Sequence, residues 1–85
     1  MTSRTVKVGS SVGLHARPAA VISQEAATLG STVTLAIEGG EPIDAKPVLL
    51  IMTLGASAGD LVTVTGDNEV DVNTIADLVA SDLDA

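Results

Sequence analysis

The side chain best suited to chemistry in this sequence is its only histidine, His15, which lies in the heptapeptide GLHARPA at residues 13–19. The heptapeptide joins a glycine-containing loop to a stretch whose apolar residues recur at helical spacing. At a helix start the first amides lack partners within the helix and the peptide dipoles place about half a positive charge there. With Arg17 two residues further on, this pattern favours a site for an anion such as a phosphorylated side chain.

Pro18 constrains how the helix begins. It has no amide hydrogen and biases Arg17 away from helical geometry. We therefore expect residues 15–17 to form a cap region outside the helix, with amides that remain available to hold a phosphate.

Other interpretations of His15 stay open at this point. A single histidine near a helix start is commonly a cap or a surface residue, and the residues alone support that role about as well as an anion site. A metal site is disfavoured because the sequence has no second histidine and no cysteine. A non-phosphorylated module that binds anions is an alternative. An enzyme with His15 as a base lacks a second histidine, an obvious carboxylate pair and a cofactor motif.

Composition excludes several classes of function. The 85 residues suit one domain, which we place at residues 1–85. The formal net charge of −7 and the absence of aromatic residues argue against nucleic acid as a partner. No segment resembles a signal peptide or approaches the roughly 20 apolar residues that span a bilayer. We expect a cytoplasmic protein without a membrane segment, cofactor or metal.

Hydrophobic periodicity gives the element order strand, helix, strand, strand, helix, strand, helix. Gly30 is expected to end the first helix in the left-handed C′ position, and Gly55 to end the second. Gly39 and Gly40 would turn a hairpin, and Asn68 or Asp71 would cap the last helix. Predicted strands lie at residues 5–8, 32–37, 41–43 and 61–65, and predicted helices follow residue 18, begin near Pro47 and reach Leu83. This order predicts an α+β fold whose antiparallel sheet has helices on one face.

The middle helix is apolar nearly all round. Its residues from 47 to 54 exceed a single core-facing stripe, so some must face outward. An exposed apolar patch commonly marks a partner site, although a loop could equally cover the excess. The candidate docking residues are Pro47, Leu50 and Ile51.

The motif GLHARPA resembles the active-site signature of the HPr family of histidine phosphocarriers. Chain length, the order of elements and the stretch at residues 52–55 match as well. The resemblance implies an open-faced β-sandwich with a four-stranded antiparallel sheet and three helices on one side. It implies that His15 is phosphorylated on Nδ1 by enzyme I, which draws on phosphoenolpyruvate, and passes the group to IIA domains of sugar permeases. Arg17 would help to neutralise the phosphate, and the amides near Ala16 and Arg17 would hydrogen-bond it.

Two positions depart from the family pattern. Val12 stands where many members have a small polar residue before the glycine, and its aliphatic side chain cannot hydrogen-bond to the histidine. Residues 44–47 supply no hydroxyl at the start of the middle helix, where many members carry a regulatory serine. We expect a monomeric carrier rather than an enzyme, with a specialised carrier of a nitrogen-regulatory or dihydroxyacetone branch as the alternative within the family.

Overall fold

The computed structural model describes residues 1–83, and the last two residues of the expected 1–85 domain lie outside the described part. The elements follow the predicted order. They are β1 (Thr2–Lys7), α1 (Ala16–Thr28), β2 (Val33–Ile37), β3 (Ile43–Asp44), α2 (Val48–Thr53), β4 (Leu61–Gly66) and α3 (Glu69–Ala80). No helix found in residues 1–83 has the length and apolar character needed to cross a membrane.

The strands form one sheet in the order β1-β4-β2-β3, and every neighbouring pair is antiparallel. Side chains alternate across it, as the period of two requires. On the open face, the hydroxyls of Ser3 and Thr65 and those of Thr5 and Thr63 lie 2.9 Å apart across the β1–β4 pair. The three helices cover the other face. The predicted α+β open-faced β-sandwich is therefore confirmed.

The core between sheet and helices is entirely aliphatic. Fully burying one Val, Leu or Ile side chain contributes about 1.5–3 kcal/mol relative to leaving it exposed, so these contacts hold the helices against the sheet. The fully buried side chains of the core include Leu35, Val62 and Val64 from the strands and Ala19, Ile22, Ile51, Val72, Ile75, Ala76 and Val79 from the helices.

Strand and helix starts differ in detail from the sequence expectation. β1 begins at Thr2 rather than at residue 5 because Thr2 and Ser3 pair with Gly66 and Thr65 of β4. Asn68, not Asp71, caps α3: its side-chain oxygen accepts the Asp71 amide at 3.2 Å. A local sequence pattern cannot show which distant residues pair, so the start of β1 could not be predicted. The N-cap of a helix depends on one nearby side chain, which a local pattern can indicate.

Helix ends show one correct and two wrong predictions. Gly55 has φ +66 directly after the C-cap of α2, as predicted. Gly30 is not left-handed: α1 stops because Leu29 turns extended at φ −81, with its amide bonded to Ala26 at 3.2 Å. The last helix ends at Ala80, so Leu83 lies beyond it and packs, partly buried, against the core.

Candidate functional site

The backbone at two glycines, Gly9 and Gly13, holds the loop that carries His15 against neighbouring segments. The Gly9 amide donates to the Val79 carbonyl at the end of α3 at 3.0 Å. Gly13 has φ +75, and a Cβ at that position would lie 2.5 Å from the Ala56 carbonyl oxygen. The next amide, of Leu14, donates to that same oxygen at 3.0 Å. The loop is thus held against the segment after α2, which fixes where α1 begins.

His15 is the N-cap of α1. Its backbone is extended at φ −80 and ψ −170, its carbonyl accepts the Ala19 amide at 2.9 Å, and its side chain makes no capping hydrogen bond. The residue is exposed. The imidazole is therefore positioned by the backbone of the cap while its ring faces solvent.

Helix α1 starts earlier than Pro18 led us to expect. Ala16 and Arg17 are its first two helical residues, so the prediction that residues 15–17 lie outside the helix is wrong for these two. Pro18 lies in the first turn, where its missing amide costs no helical hydrogen bond, so the helix accommodates the proline and Arg17 is helical despite the steric bias on the residue before a proline. The first intrahelical amide is that of Ala19, so the amides of Ala16 and Arg17 have no acceptor within the helix.

Arg17 is exposed beside this cap. Arg4 forms an ion pair with Asp77 at 2.7 Å, whereas Arg17 forms none with a carboxylate of residues 1–83. Val12, which precedes the glycine turn, is 50% exposed and has no polar atom to offer the ring. His15 thus lies at the positive end of α1, next to two amides that have no acceptor within the helix.

A shallow cavity beside His15 joins the cap to the end of α2. Its volume is about 210 Å³, and its lining residues are Leu14, His15, Met52, Gly55, Ala56 and Ser57. Sequence reasoning missed Met52 and Ser57 as neighbours of the histidine. The contact comes from the Leu14–Ala56 hydrogen bond across 42 residues, which no local pattern reveals.

The surface of α2 corrects one docking residue. Ile51 is 0% exposed and belongs to the core, so it cannot form part of a docking surface. The helix places Ile51 toward α1 and the sheet, whereas Leu49 at 75%, Leu50 at 39% and Met52 at 39% face outward. Pro47 is exposed at the N-cap. We call the exposed side chains of Pro47, Leu49, Leu50 and Met52 the α2 surface.

Hydrogen bonds fix α2 against α1. The Ser23 hydroxyl of α1 donates to the Lys46 carbonyl, and the Lys46 amide donates to the Asp44 carboxylate at 2.9 Å. The Pro47 carbonyl then accepts the amides of Leu50 and Ile51 at 3.1 and 3.3 Å. The α2 surface is therefore held in a defined position relative to the helix that begins at His15.

The rest of the described chain offers less chemistry. No group of three or more His, Cys, Asp or Glu side chains in residues 1–83 is arranged to hold a metal ion. A larger cavity of about 390 Å³ lies on the open face of the sheet, and its lining includes Thr34, Thr63 and Thr65. It contains neither His15 nor a basic side chain, so the candidate site is the cap of α1 with the adjoining α2 surface.

Comparison with known proteins extends this description. A family model described as "PTS HPr component phosphorylation site" matches residues 2–81. The phosphocarrier protein HPr of Streptomyces coelicolor is 37% identical over 87 aligned positions, which cover 99% of this chain and 94% of that protein. The protein of the same name from Haemophilus influenzae is 35% identical, and the alignment covers 94% of this chain and 93% of that protein. The solved structure of HPr-C-His from Thermoanaerobacter tengcongensis superposes with a TM-score of 0.88 at 30% identity, covering 100% of this chain and 98% of that one.

Proposed function

Because this chain belongs to the HPr family of phosphocarriers of the phosphotransferase system, we propose that His15 is the residue that carries the phosphoryl group. The observation that carries the proposal is the cap geometry: an exposed imidazole at the N-terminus of α1, beside amides that have no helical acceptor. His15 is also the only histidine in the chain.

The proposed phosphoryl transfer uses this geometry in two steps. A neutral imidazole nitrogen, Nδ1 by resemblance to the family, attacks the phosphorus of a phosphorylated donor, and the bond from phosphorus to the donor breaks as the new N–P bond forms. The phosphoryl group of the product is negatively charged. The amides of Ala16 and Arg17, the dipole of α1 and the Arg17 guanidinium meet that charge. In the second transfer the N–P bond breaks toward an acceptor, and His15 returns to its neutral form.

We infer that the chain is a covalent carrier and not itself an enzyme. His15 borders a shallow cavity of about 210 Å³ on the surface, which is small for a site that encloses a substrate. A carrier needs the opposite arrangement, since its phosphohistidine must enter the active sites of other proteins. The exposure of His15 supports this role.

The partners we propose are enzyme I as donor and IIA domains of sugar permeases as acceptors. The α2 surface supports this because exposed apolar side chains lie beside the cavity that His15 lines, where they would be covered when a partner reaches the ring. The core draws on strands and helices along the whole described chain, which supports a single domain. We propose that this domain acts as a monomer in the cytoplasm.

The experiment compares the native protein with His15→Ala in a relay of enzyme I, phosphoenolpyruvate and a IIA domain. We expect one acid-labile phosphate on the native protein, by intact mass, and none on the variant. The variant should give an unchanged circular dichroism spectrum because His15 is exposed and makes no side-chain capping bond. Acid-labile phosphate on a folded His15→Ala protein would refute the assignment.

A further inference from the structure

Met52 is the oxidisable side chain nearest to the candidate site. The sequence has two methionines and no Cys, Trp or Tyr, so the thioethers are the side chains most open to mild oxidants. Met52 is 39% exposed and lines the cavity that His15 also lines. Met1 is 94% exposed and borders the cavity on the open face of the sheet. The two thioethers therefore sit at different cavities, and only one of these contains His15.

We propose that Met52 is an oxidation site through which peroxide lowers phosphoryl transfer by this protein. The inference rests on the proposed function, since it concerns the surface on which partners would dock. The Met52 sulfur attacks one oxygen of hydrogen peroxide, the O–O bond breaks, and the second oxygen leaves as water. The thioether is oxidised to the sulfoxide and the peroxide is reduced. A methionine sulfoxide reductase reverses the change.

Oxidation of Met52 would change the contact between the α2 surface and a partner without disturbing the fold. A thioether is apolar and flexible and fills irregular gaps between proteins, whereas a sulfoxide is polar and chiral. A partner that covers the α2 surface would bury the S=O group against apolar atoms, where it lacks a hydrogen-bond donor. Ile51 and Leu54 are buried in the core, whereas Met52 is 39% exposed and faces outward, so we expect the oxidised carrier to stay folded and to dock less well.

The test treats the native protein, Met52→Leu and the double variant Met52→Leu with Leu61→Met with hydrogen peroxide. Leu61 is 41% exposed and lies on β4, so a methionine there matches Met52 in exposure at a place away from the His15 cavity. Peptide mapping identifies the oxidised residues. Steady-state transfer from phosphorylated enzyme I gives KM and kcat, and each treated protein is compared with its own untreated sample.

We expect treatment to raise the KM of the native protein about tenfold with little change in kcat, the loss typical of one unpaired polar group placed in an apolar contact. The KM of both variants should change less than about twofold, and a sulfoxide reductase should restore the native value. Equal KM values for native protein with Met52 reduced and oxidised would overturn the inference. An equal rise in KM for the treated variants would also overturn it. If the untreated native protein accepts no phosphate, the proposed function itself fails, which this design distinguishes from a loss seen only after oxidation.

Discussion

At the residue scale, the position of His15 depends on the turn at Gly13. That residue has φ +75, a conformation that L side chains rarely adopt, and it lies against the backbone of Ala56 and Ser57. The loop would have to move away from those residues to admit a side chain. Glycine at this position therefore lets the loop and the segment after α2 approach closely enough to share the Leu14–Ala56 hydrogen bond.

Gly13→Ala should lower the free energy of unfolding by about 1–3 kcal/mol, because a Cβ adds backbone strain and lies 2.5 Å from a carbonyl oxygen. Urea denaturation measures the change. Gly30→Ala is the matched control, since nothing lies within 4 Å of a Cβ there and its φ is not positive. We expect the control to change stability by less than about 0.5 kcal/mol or to stabilise slightly. Similar losses for both variants would show that the Gly13 turn is not specially constrained.

Arg17 is expected to matter for transfer more than for folding. It is exposed at the second position of α1 and has no ion pair within residues 1–83. Arg17→Ala should raise the barrier to transfer by about 2–4 kcal/mol, by analogy with loss of one preorganised donor. Rapid-quench kinetics with phosphorylated enzyme I measures the rate, and urea denaturation of the same variant serves as the control for stability. A rate within twofold of native would exclude the proposed role.

At the element scale, helix α2 divides its apolar residues between two tasks. Ile51 is buried in the core, whereas Leu50, its neighbour in the chain, is 39% exposed. Adjacent residues on a helix point about 100° apart, so one short apolar run serves both packing and docking. A helix of six residues has no polar face of its own, and only the tertiary packing decides which side chain is covered.

Leu50→Glu should weaken complexes with enzyme I and with a IIA domain at least tenfold, since it places a charge in an apolar contact. Stability should change by less than about 0.5 kcal/mol because the position is on the surface. Leu61→Glu is the matched control: Leu61 is 41% exposed on β4 and lies outside the α2 surface. Calorimetric titration measures both affinities. Equal affinity for native and Leu50→Glu protein would remove this helix from the docking surface.

The start of α2 also bears on regulation. Asp44, Ala45, Lys46 and Pro47 lead into the helix, and none has a hydroxyl. The Thr53 hydroxyl is at the opposite end and donates to the Leu50 carbonyl at 2.6 Å. We therefore expect no acid-stable phosphate after incubation with ATP and a kinase that modifies the serine of other family members, with a serine-bearing relative as positive control. Stoichiometric incorporation would show that another hydroxyl is the acceptor.

At the scale of the whole molecule, much of the fold was predictable because local patterns agree with the tertiary structure. Alternating Val residues marked β1 and β4, helical spacing of Ala19, Ile22 and Ala26 marked the buried face of α1, and the order of elements implied the antiparallel sheet. The position of His15 at the start of α1 was also predictable, although the helical backbone of Ala16 and Arg17 was not. A unique histidine, an arginine and a proline in the first turn are all local features, and the motif resembles one family.

The remaining features depend on contacts between distant segments. The Leu14–Ala56 bond, which brings Met52 and Ser57 beside His15, joins residues far apart in the chain. The same holds for the pairing of Thr2 with Gly66 that extends β1. Ile51 was assigned to the exposed side because Thr53, at the end of α2, is the helix's single polar residue and gives no polar stripe to orient the other five. Periodicity describes one element at a time and cannot report what packs against it.

The central claim is that phosphate on His15 is held by the N-terminus of α1, and heteronuclear NMR of the phosphorylated protein tests it most directly. With enzyme I and phosphoenolpyruvate, we expect phosphorylation of one His15 ring nitrogen, Nδ1. The chemical shifts of the Ala16 and Arg17 amide protons should change strongly as these amides become hydrogen-bonded to the phosphate. The chemical shifts of amides in the sheet should stay the same. Phosphate on any other residue, or unchanged amide shifts at Ala16 and Arg17, would contradict the account.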